Sequence, residues 1–328
     1  MARISGKDRD VPQAVALGRA RKVCAAPASP PGGVASRPAP TVSLVLGAGG
    51  ARGMAHIGVI QWLTEQGYDI RGISGSSIGA LVGGIYAARR LDVYVQWVQA
   101  LERLQVVRLL DPTFGRAGLI KGDRIMGVLR ELIGEFDIEQ LPLSFTAVAT
   151  DLDSGEEVWL QNGKLFDAIR ASIATPLVFT PFRHGQRTLL DGALVNPLPM
   201  DPILDDGTEL TVAVDLSGPP QQRIEPPLSL ATEDASTYRR RIRSFVGNLQ
   251  GDRAPVEPSP GLLSVAFVSM QAMQDTIARL RLASFSPDIT VEIPRNACGF
   301  HEFWRAQEMI SLGRERAAEA FARHVAAK

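Results

Sequence analysis

This chain has few cysteines, few histidines and no net charge at pH 7. Only Cys24 and Cys298 occur among 328 residues, too few for a disulfide framework or a zinc site, and this content favours a reducing cytoplasm. The 35 basic residues balance the 35 acidic ones, which argues against a general nucleic-acid binder. No apolar run approaches the roughly 18 to 20 residues that a membrane-spanning helix needs. We therefore expect any membrane contact to be peripheral.

The composition divides the chain into a tail and one domain. Residues 1–40 are basic, rich in Pro, Ala, Gly and Ser, and lack an apolar segment long enough for a signal peptide, so we expect disorder there. Residues 41–328 alternate strand-like and helical stretches. This alternation predicts a three-layer α/β/α fold around a mostly parallel sheet. A Pro- and Arg-rich insertion interrupts the domain at about 219–260.

The segment from Gly75 to Gly79 matches the pattern Gly-x-Ser-x-Gly, with Ser77 at its centre. An apolar stretch leads into it and a run of small and apolar residues, 80–85, follows. In a nucleophile elbow the serine occupies a strained turn between strand and helix, and glycines are needed where a Cβ would strike the neighbouring element. The pentapeptide alone is a weak signal, but its context favours an elbow.

A glycine-rich loop, Gly47–Gly53, follows a predicted buried strand at 41–46 and precedes a predicted helix at 54–66. Its glycines allow backbone N–H groups to face an anion, and Arg52 adds a positive charge beside them. A dinucleotide fingerprint and a phosphate loop fit poorly, since their closing residues are missing. The pattern favours an oxyanion-binding loop over a simple tight turn.

A serine nucleophile needs a base, and none of the four histidines lies in a recognisable triad setting. We interpret all four as structural or solvated: His56, His184, His301 and His324. Asp191 stands at the end of a short predicted strand and is followed by a glycine. Asp-Gly alone is an ordinary turn signal, and only the other motifs turn this aspartate into a candidate base.

Together these motifs resemble the patatin-like phospholipases, lipid acyl hydrolases that use a Ser-Asp dyad. Four blocks in the matching order carry the resemblance: Gly47–Gly58, Gly75–Gly79, Arg170–Phe179 and Asp191–Ala193. A fainter similarity reaches bacterial members and the esterase domain of the neuropathy-target-esterase group.

The resemblance implies a role for each block. Ser77 is the nucleophile, Asp191 is its base, and the backbone amides around Gly49, Gly50 and Ala51 form the oxyanion hole. The remaining implied site positions complete the glycine loop, the elbow and the turn after the aspartate: Arg52, Gly53, Gly75, Gly79, Gly192 and Ala193. Because aspartate is a weak base, we expect partial desolvation to raise its pKa.

The resemblance also implies a lipid or other acyl-ester substrate, with no metal and no organic cofactor. An acyltransferase or thioesterase using the same serine remains an alternative, as does a regulatory protein whose hydrolysis is incidental. A cationic stretch with apolar neighbours, Tyr238–Val246, is a candidate for peripheral membrane contact, although the pattern favours a solvated helix in a surface insertion.

Two helices outside these blocks are also predicted. Asp123 is expected to cap an amphipathic helix, and a helix over 262–282 is expected to pack an apolar face on the sheet. The residues predicted for that apolar face are Val265, Val268, Met273 and Ile277.

Overall fold

Strands and helices alternate along the chain in the computed structural model, which describes residues 39–113, 120–221 and 261–327. The strands are β1 (Thr41–Leu46), β2 (Asp69–Ser76), β3 (Ser144–Asp151), β4 (Glu157–Leu160), β5 (Phe182–His184), β6 (Arg187–Asp191), β7 (Leu210–Gly218) and β8 (Ile289–Pro294). The helices are α1 (Met54–Glu65), α2 (Ile78–Ala87), α3 (Leu91–Gln99), α4 (Arg103–Arg108), α5 (Asp123–Ile133), α6 (Leu165–Ser172), α7 (Leu262–Phe285) and α8 (Ala306–Ala326). Almost all of the predicted tail and insertion, with the cationic stretch at 238–246, lies outside the described residues.

The sheet is mostly parallel. Adjacent strands run parallel in the order β3-β2-β1-β7-β8, whereas β4 and β6 pair antiparallel with β3, and β5 pairs antiparallel with β6. The chain passes from β1 to β2 on one side of β1, while β7 lies on the other side. Ligands of such sheets bind where the strand order reverses, outside the carboxyl ends of the strands. The loops after β1 and β2 both begin at this edge.

Helices cover both faces of the sheet, which confirms the predicted α/β fold. Along β1, Leu44 and Leu46 belong to a large core that includes residues of α1, α2 and α8. Val45, which points the opposite way in a strand, belongs to a smaller core with Ala278 of α7. Among the described helices, none combines the length and apolar content that crossing a bilayer requires.

The prediction of which residues form the apolar face of α7 is wrong. Its inward side chains are Met270 and Ala278, which are buried. Three residues predicted for this apolar face are exposed instead: Val265 by 46%, Val268 by 62% and Met273 by 60%. Periodicity identifies an apolar stripe, but it does not identify the surface that covers the stripe.

The C-terminal half of α7 is fixed to the body of the protein. Arg281 forms ion pairs with Asp201 at 2.7 Å and with Glu157 at 3.6 Å. Leu282 and Phe285 pack against the smaller core. The N-terminal half of α7 therefore projects over the carboxyl edge of the sheet from an anchored base.

The start of α5 also differs from the prediction. Its N-cap is Gly122, in the left-handed conformation that glycine adopts readily. The carboxylate of Asp111 accepts hydrogen bonds from the N–H groups of Gly122, Asp123 and Arg124 at 2.7, 2.9 and 3.2 Å. A distant aspartate thus satisfies the first turn, because its negative charge suits the positive end of the helix dipole.

Candidate active site

Ser77 occupies a sharp turn between the end of β2 and the start of α2. Its φ of 56° and ψ of −122° lie in a region that residues with a Cβ avoid, at a cost of about 1–3 kcal/mol. A Cβ on Gly75 would lie 2.5 Å from the backbone of Gly79, and a Cβ on Gly79 would lie 2.0 Å from the carbonyl oxygen of Leu46. Only glycine fits at either position, as an elbow requires.

Ser77 and Asp191 meet directly. β6 pairs antiparallel with β3, and its last residue, Asp191, lies opposite Ala149 near the carboxyl end of β3. The Ser77 hydroxyl donates a hydrogen bond to Asp191 Oδ2 at 2.8 Å. Ser77 is 6% exposed and Asp191 1% exposed, so the pair is shielded from bulk water.

The carboxylate of Asp191 accepts two further hydrogen bonds. The N–H of Ala193 donates to Oδ1 at 2.9 Å, and the hydroxyl of Thr175 donates to Oδ2 at 2.5 Å. Burial raises the pKa of Asp191 to about 6, against the opposing effect of hydrogen bonds from Thr175, Ala193 and Ser77. The direction agrees with the sequence-based prediction, and the group is a stronger base than an exposed aspartate.

Two site residues, Thr175 and Ser172, had no predicted role. The N–H of Ser77 donates to Ser172 Oγ at 2.9 Å, and that hydroxyl donates to the carbonyl of Val148 at 2.5 Å. Ser172 thereby ties the elbow to β3. Both residues lie in the 170–179 block, so the motif marked their neighbourhood without indicating which atoms they contact.

The glycine loop leads into a turn of 3₁₀ helix, Gly50–Gly53, and only part of it can receive an oxyanion. Among the described residues, the N–H groups of Gly49 and Gly50 have no acceptor, and each residue lines a cavity that also contains Ser77. The N–H of Ala51, by contrast, donates to the carbonyl of Phe300 at 2.8 Å. The geometry therefore corrects the prediction for Ala51, whose N–H already has an acceptor.

Arg52 and Gly53 shape the loop. The guanidinium of Arg52 donates to the carbonyl of Gly49 at 3.2 Å and also to the carbonyl of Arg295. Gly53 faces Ile78, whose side chain lies 2.3 Å from the position of an added Cβ. The close approach of Gly53 to Ile78 brings the loop near the first residue of α2, and so near Ser77.

In the part of the chain that the structure describes, no histidine shares a hydrogen bond with the pair Ser77 and Asp191. His56 is fully buried, and its Nε2 lies 2.8 Å from the carbonyl oxygen of Gly47. A carbonyl only accepts, so Nε2 carries the proton, and burial lowers the pKa of His56 to about 4. His56 thus supports the glycine loop as a neutral group, and no histidine forms a hydrogen bond with Ser77 or Asp191.

A large apolar cavity opens beside Ser77. Its volume is about 430 Å³, and its wall includes side chains from α2, α3, α4 and α5 together with residues of the loops around them and of α7. Representative wall residues are Leu81, Val98, Val107, Met126, Leu129 and Phe179. Pockets of this size bind extended organic ligands, and the wall offers few polar partners. The cavity therefore suits an apolar ligand.

A second, smaller cavity adjoins the dyad on the side of α7. Its volume is about 20 Å³, enough for one water molecule. Its polar wall includes Arg52 together with Asp215, Gln271, Gln274 and Asp275. Ser77 and Thr175 line both cavities, so the two spaces meet at the serine.

Metal chemistry has no support from the described side chains. Within residues 39–113, 120–221 and 261–327, no group of three or more His, Cys, Asp or Glu could hold a metal ion. Cys298 is a free, buried thiol whose pKa is raised by burial to about 11. The thiol is therefore protonated near neutral pH and is not a reactive thiolate.

Comparisons with known proteins agree with the sequence motifs. A family described as "Patatin-like phospholipase" matches residues 44–204. An "Uncharacterized NTE family protein" of Mycobacterium tuberculosis is 38% identical over 86% of this chain and 91% of its own length. A "Patatin-like phospholipase domain-containing protein" of Caenorhabditis elegans is 34% identical, over 53% of this chain and 13% of its own. Among solved structures, VipD from Legionella pneumophila matches with a TM-score of 0.39 and 13% identity, over 88% of this chain and 67% of VipD.

Proposed function

Since the chain belongs to the patatin-like phospholipase family, we propose that it is a serine acyl-ester hydrolase that acts on lipids through Ser77 and Asp191. One observation carries this proposal: the buried hydrogen bond of 2.8 Å from the serine hydroxyl to the aspartate. Serine is a weak nucleophile until a base removes its proton, and the carboxylate is positioned to do so without a histidine.

The first half of the reaction forms an acyl-enzyme. Asp191 Oδ2 accepts the proton of Ser77 as Oγ attacks the ester carbonyl. The tetrahedral intermediate then collapses, the C–O bond to the alcohol breaks, and Asp191 returns the proton to the departing alkoxide. With its pKa raised to about 6, Asp191 is ionised near neutral pH and still basic enough to take part.

The N–H groups of Gly49 and Gly50 are our candidates for stabilising the oxyanion. They have no acceptor among the described residues, whereas the N–H of Ala51 does. Donors already aligned in a site that excludes water stabilise the developing charge strongly, and losing one typically costs about 100-fold or more. Arg52 contributes by holding the carbonyl of Gly49 rather than by direct contact.

The second half of the reaction is hydrolysis of the acyl-enzyme. Water attacks the acyl carbonyl while Asp191 takes one of its protons. The tetrahedral intermediate then collapses, the bond between Ser77 Oγ and the acyl carbon breaks, and Asp191 returns the proton to Oγ. The cavity of about 20 Å³ on the α7 side has room for one water and borders both members of the dyad. Its size supports water as the acceptor, and larger acceptors require α7 to move.

The apolar cavity supports a long-chain acyl substrate. Its volume of about 430 Å³ lies in the range of about 300–1,000 Å³ typical of ligand pockets, and its apolar wall suits a hydrocarbon chain. Burial of each methylene contributes about 0.8 kcal/mol, which favours long chains over short ones. We propose that the acyl chain lies in this cavity.

Two alternatives remain. An acyltransferase or thioesterase would use the same acyl-enzyme, and acceptor assays separate it from a hydrolase. A regulatory protein with incidental hydrolysis would not need the dyad. The strained elbow and the buried carboxylate both cost stability, and this cost is difficult to explain without catalysis.

We also propose a peripheral membrane contact at the mouth of the apolar cavity. Leu104, Val107, Leu110 and Leu263 are exposed there, and we name them the rim patch. Val107 and Leu110 also line the cavity, while Leu263 lies one helical turn from Phe267, which lines it too. A lipid could pass from a bilayer surface into the cavity along this patch. The cytoplasmic location stays a prediction from cysteine content.

Hydrolysis of p-nitrophenyl esters of increasing chain length, and of a phospholipid, tests the proposal. The wild-type protein should prefer long chains, and Ser77→Ala and Asp191→Asn should each lower kcat by at least about a thousandfold while remaining folded by circular dichroism. Undiminished turnover in either folded variant would refute the dyad. If a lysolipid acceptor captures the acyl group in place of water, the transferase alternative replaces hydrolysis.

A further inference from the structure

Two hydroxyl groups share one oxygen of Asp191. Ser77 Oγ and Thr175 Oγ1 both donate to Oδ2, at 2.8 and 2.5 Å. We propose that Thr175 is a positioning residue that keeps Asp191 in its carboxylate form and directs Oδ2 at the serine proton. This inference rests on the proposed function, because it assigns Asp191 as the base.

The backbone holds Thr175 firmly in place. The residue is 4% exposed, and its N–H donates to the carbonyl of Ile173 at 2.7 Å. Its own carbonyl accepts from the N–H groups of Val178 and Phe179 at 3.1 and 2.8 Å. The hydroxyl therefore reaches Asp191 from a rigid turn.

The hydroxyl of Thr175 has a second acceptor within reach. The carbonyl oxygen of Ile173 lies 3.3 Å from Oγ1. A hydroxyl carries one proton and so serves one acceptor at a time, and the shorter contact to Asp191 is the stronger one. When Asp191 accepts the proton of Ser77, its oxygen becomes a poor acceptor and the Thr175 hydroxyl turns to Ile173. Thr175 keeps its own proton throughout.

The hydrogen bond from Thr175 opposes the effect of burial. Burial raises the pKa of Asp191, and the Thr175 hydroxyl is the strongest opposing influence. Other charged groups stand farther off, in the walls of the two cavities: Arg52 beside the glycine loop, Asp215 at the end of β7, Asp275 on α7, and His301 in the apolar wall. Without Thr175, Asp191 would stay protonated to higher pH, and over that added pH range it could not accept the serine proton.

The test is the pH profile of kcat/KM for soluble p-nitrophenyl esters. Thr175→Val removes the hydroxyl at nearly constant volume. A hydrogen bond to an ionised group is strong enough that its loss should move the acid limb upward by about one to two pH units. At pH 6 the activity should fall about tenfold or more, while the plateau above about pH 8.5 stays within a few-fold of wild type.

Two further variants separate positioning from structural damage. Thr175→Ser keeps the hydroxyl and should restore the wild-type limb. Thr150→Val is the matched control, because the Thr150 hydroxyl donates at 2.9 Å to the backbone carbonyl of Asp191, not to its carboxylate. This control should leave the limb in place. His301→Gln should also leave it in place, which assigns the limb to Asp191.

The outcomes distinguish this inference from the proposed function. A folded Thr175→Val variant whose acid limb coincides with that of the wild type overturns the role of Thr175. A uniform loss of activity at every pH also overturns it, since it indicates damage to packing. If Asp191→Asn retains turnover, the proposed function itself fails. Loss of activity in Asp191→Asn with an unmoved limb in Thr175→Val rejects only the role of Thr175.

Discussion

Replacing Asp191 by Asn should stabilise the protein while it abolishes turnover. Folding buries the carboxylate and raises its pKa from 3.8 to about 6. Each unit of difference between folded and unfolded pKa corresponds to 1.36 kcal/mol, so the ionised group costs about 3 kcal/mol of stability at alkaline pH. A neutral amide avoids this cost. Its oxygen can accept from the N–H of Ala193, and its NH₂ group can donate to the hydroxyls of Ser77 and Thr175 once these rotate.

The effect depends on pH in a definite direction. Between about pH 4 and 6 the folded protein binds a proton at Asp191 that the unfolded chain releases, so the contribution of this group to stability falls as pH rises. Above about pH 7 the penalty is complete, and below about pH 4 it is absent. The stability difference between the Asn variant and wild type should therefore appear between these limits.

Thermal unfolding followed by circular dichroism measures the difference. At pH 8 Asp191→Asn should raise Tm by roughly 6 °C, at about 2 °C per kcal/mol for a domain of this size, and at pH 4 by little or nothing. Ser77→Ala is the matched control, because it is inactive but keeps the buried charge, and it should show no such gain. An Asn variant that is no more stable than wild type at pH 8, or equally stabilised at both pH values, contradicts the reasoning.

Three further predictions concern the walls and mouth of the site. Gly50→Ala should displace an oxyanion donor and lower kcat about 100-fold, because φ is +60° and an added Cβ would lie 2.4 Å from an aromatic ring. Gly67→Ala is the control: its φ is +81° but the space around it is open, so kcat should be unchanged in the same assay. Val98→Phe narrows the apolar cavity and should shift the chain-length optimum of ester hydrolysis toward shorter acyl groups. Leu104→Asp should lower phospholipid vesicle hydrolysis about tenfold with no change on a soluble ester, whereas Val325→Asp, equally exposed on α8, should change neither.

The features that the sequence predicted best are local ones. β1 spans the predicted residues, and α1 ends one residue short of its predicted end. The predicted dyad members, Ser77 and Asp191, lie 2.8 Å apart between oxygens, although their catalytic roles stay predictions. Strand patterns and glycine turns are determined within a few residues, so they can be recognised without the fold.

The features that the sequence did not predict depend on contacts between distant segments. Whether the N–H of Ala51 is free depends on Phe300, and the cap of α5 depends on Asp111. Thr175 stood in a recognised block, but its contact with Asp191 becomes visible only when the turn is folded. Side-chain periodicity cannot report such partners, because it describes one element at a time.

The hydrogen bond from the N–H of Ala51 to the carbonyl of Phe300 joins the glycine loop to a segment that lies far along the chain. The glycine loop lies between β1 and α1, yet the carbonyl that holds it comes from the segment just before α8. A nascent or C-terminally truncated chain can carry both Ser77 and Asp191 while its loop lacks this support. We expect the loop of such a chain to bind an oxyanion poorly, even where its serine and aspartate are in contact.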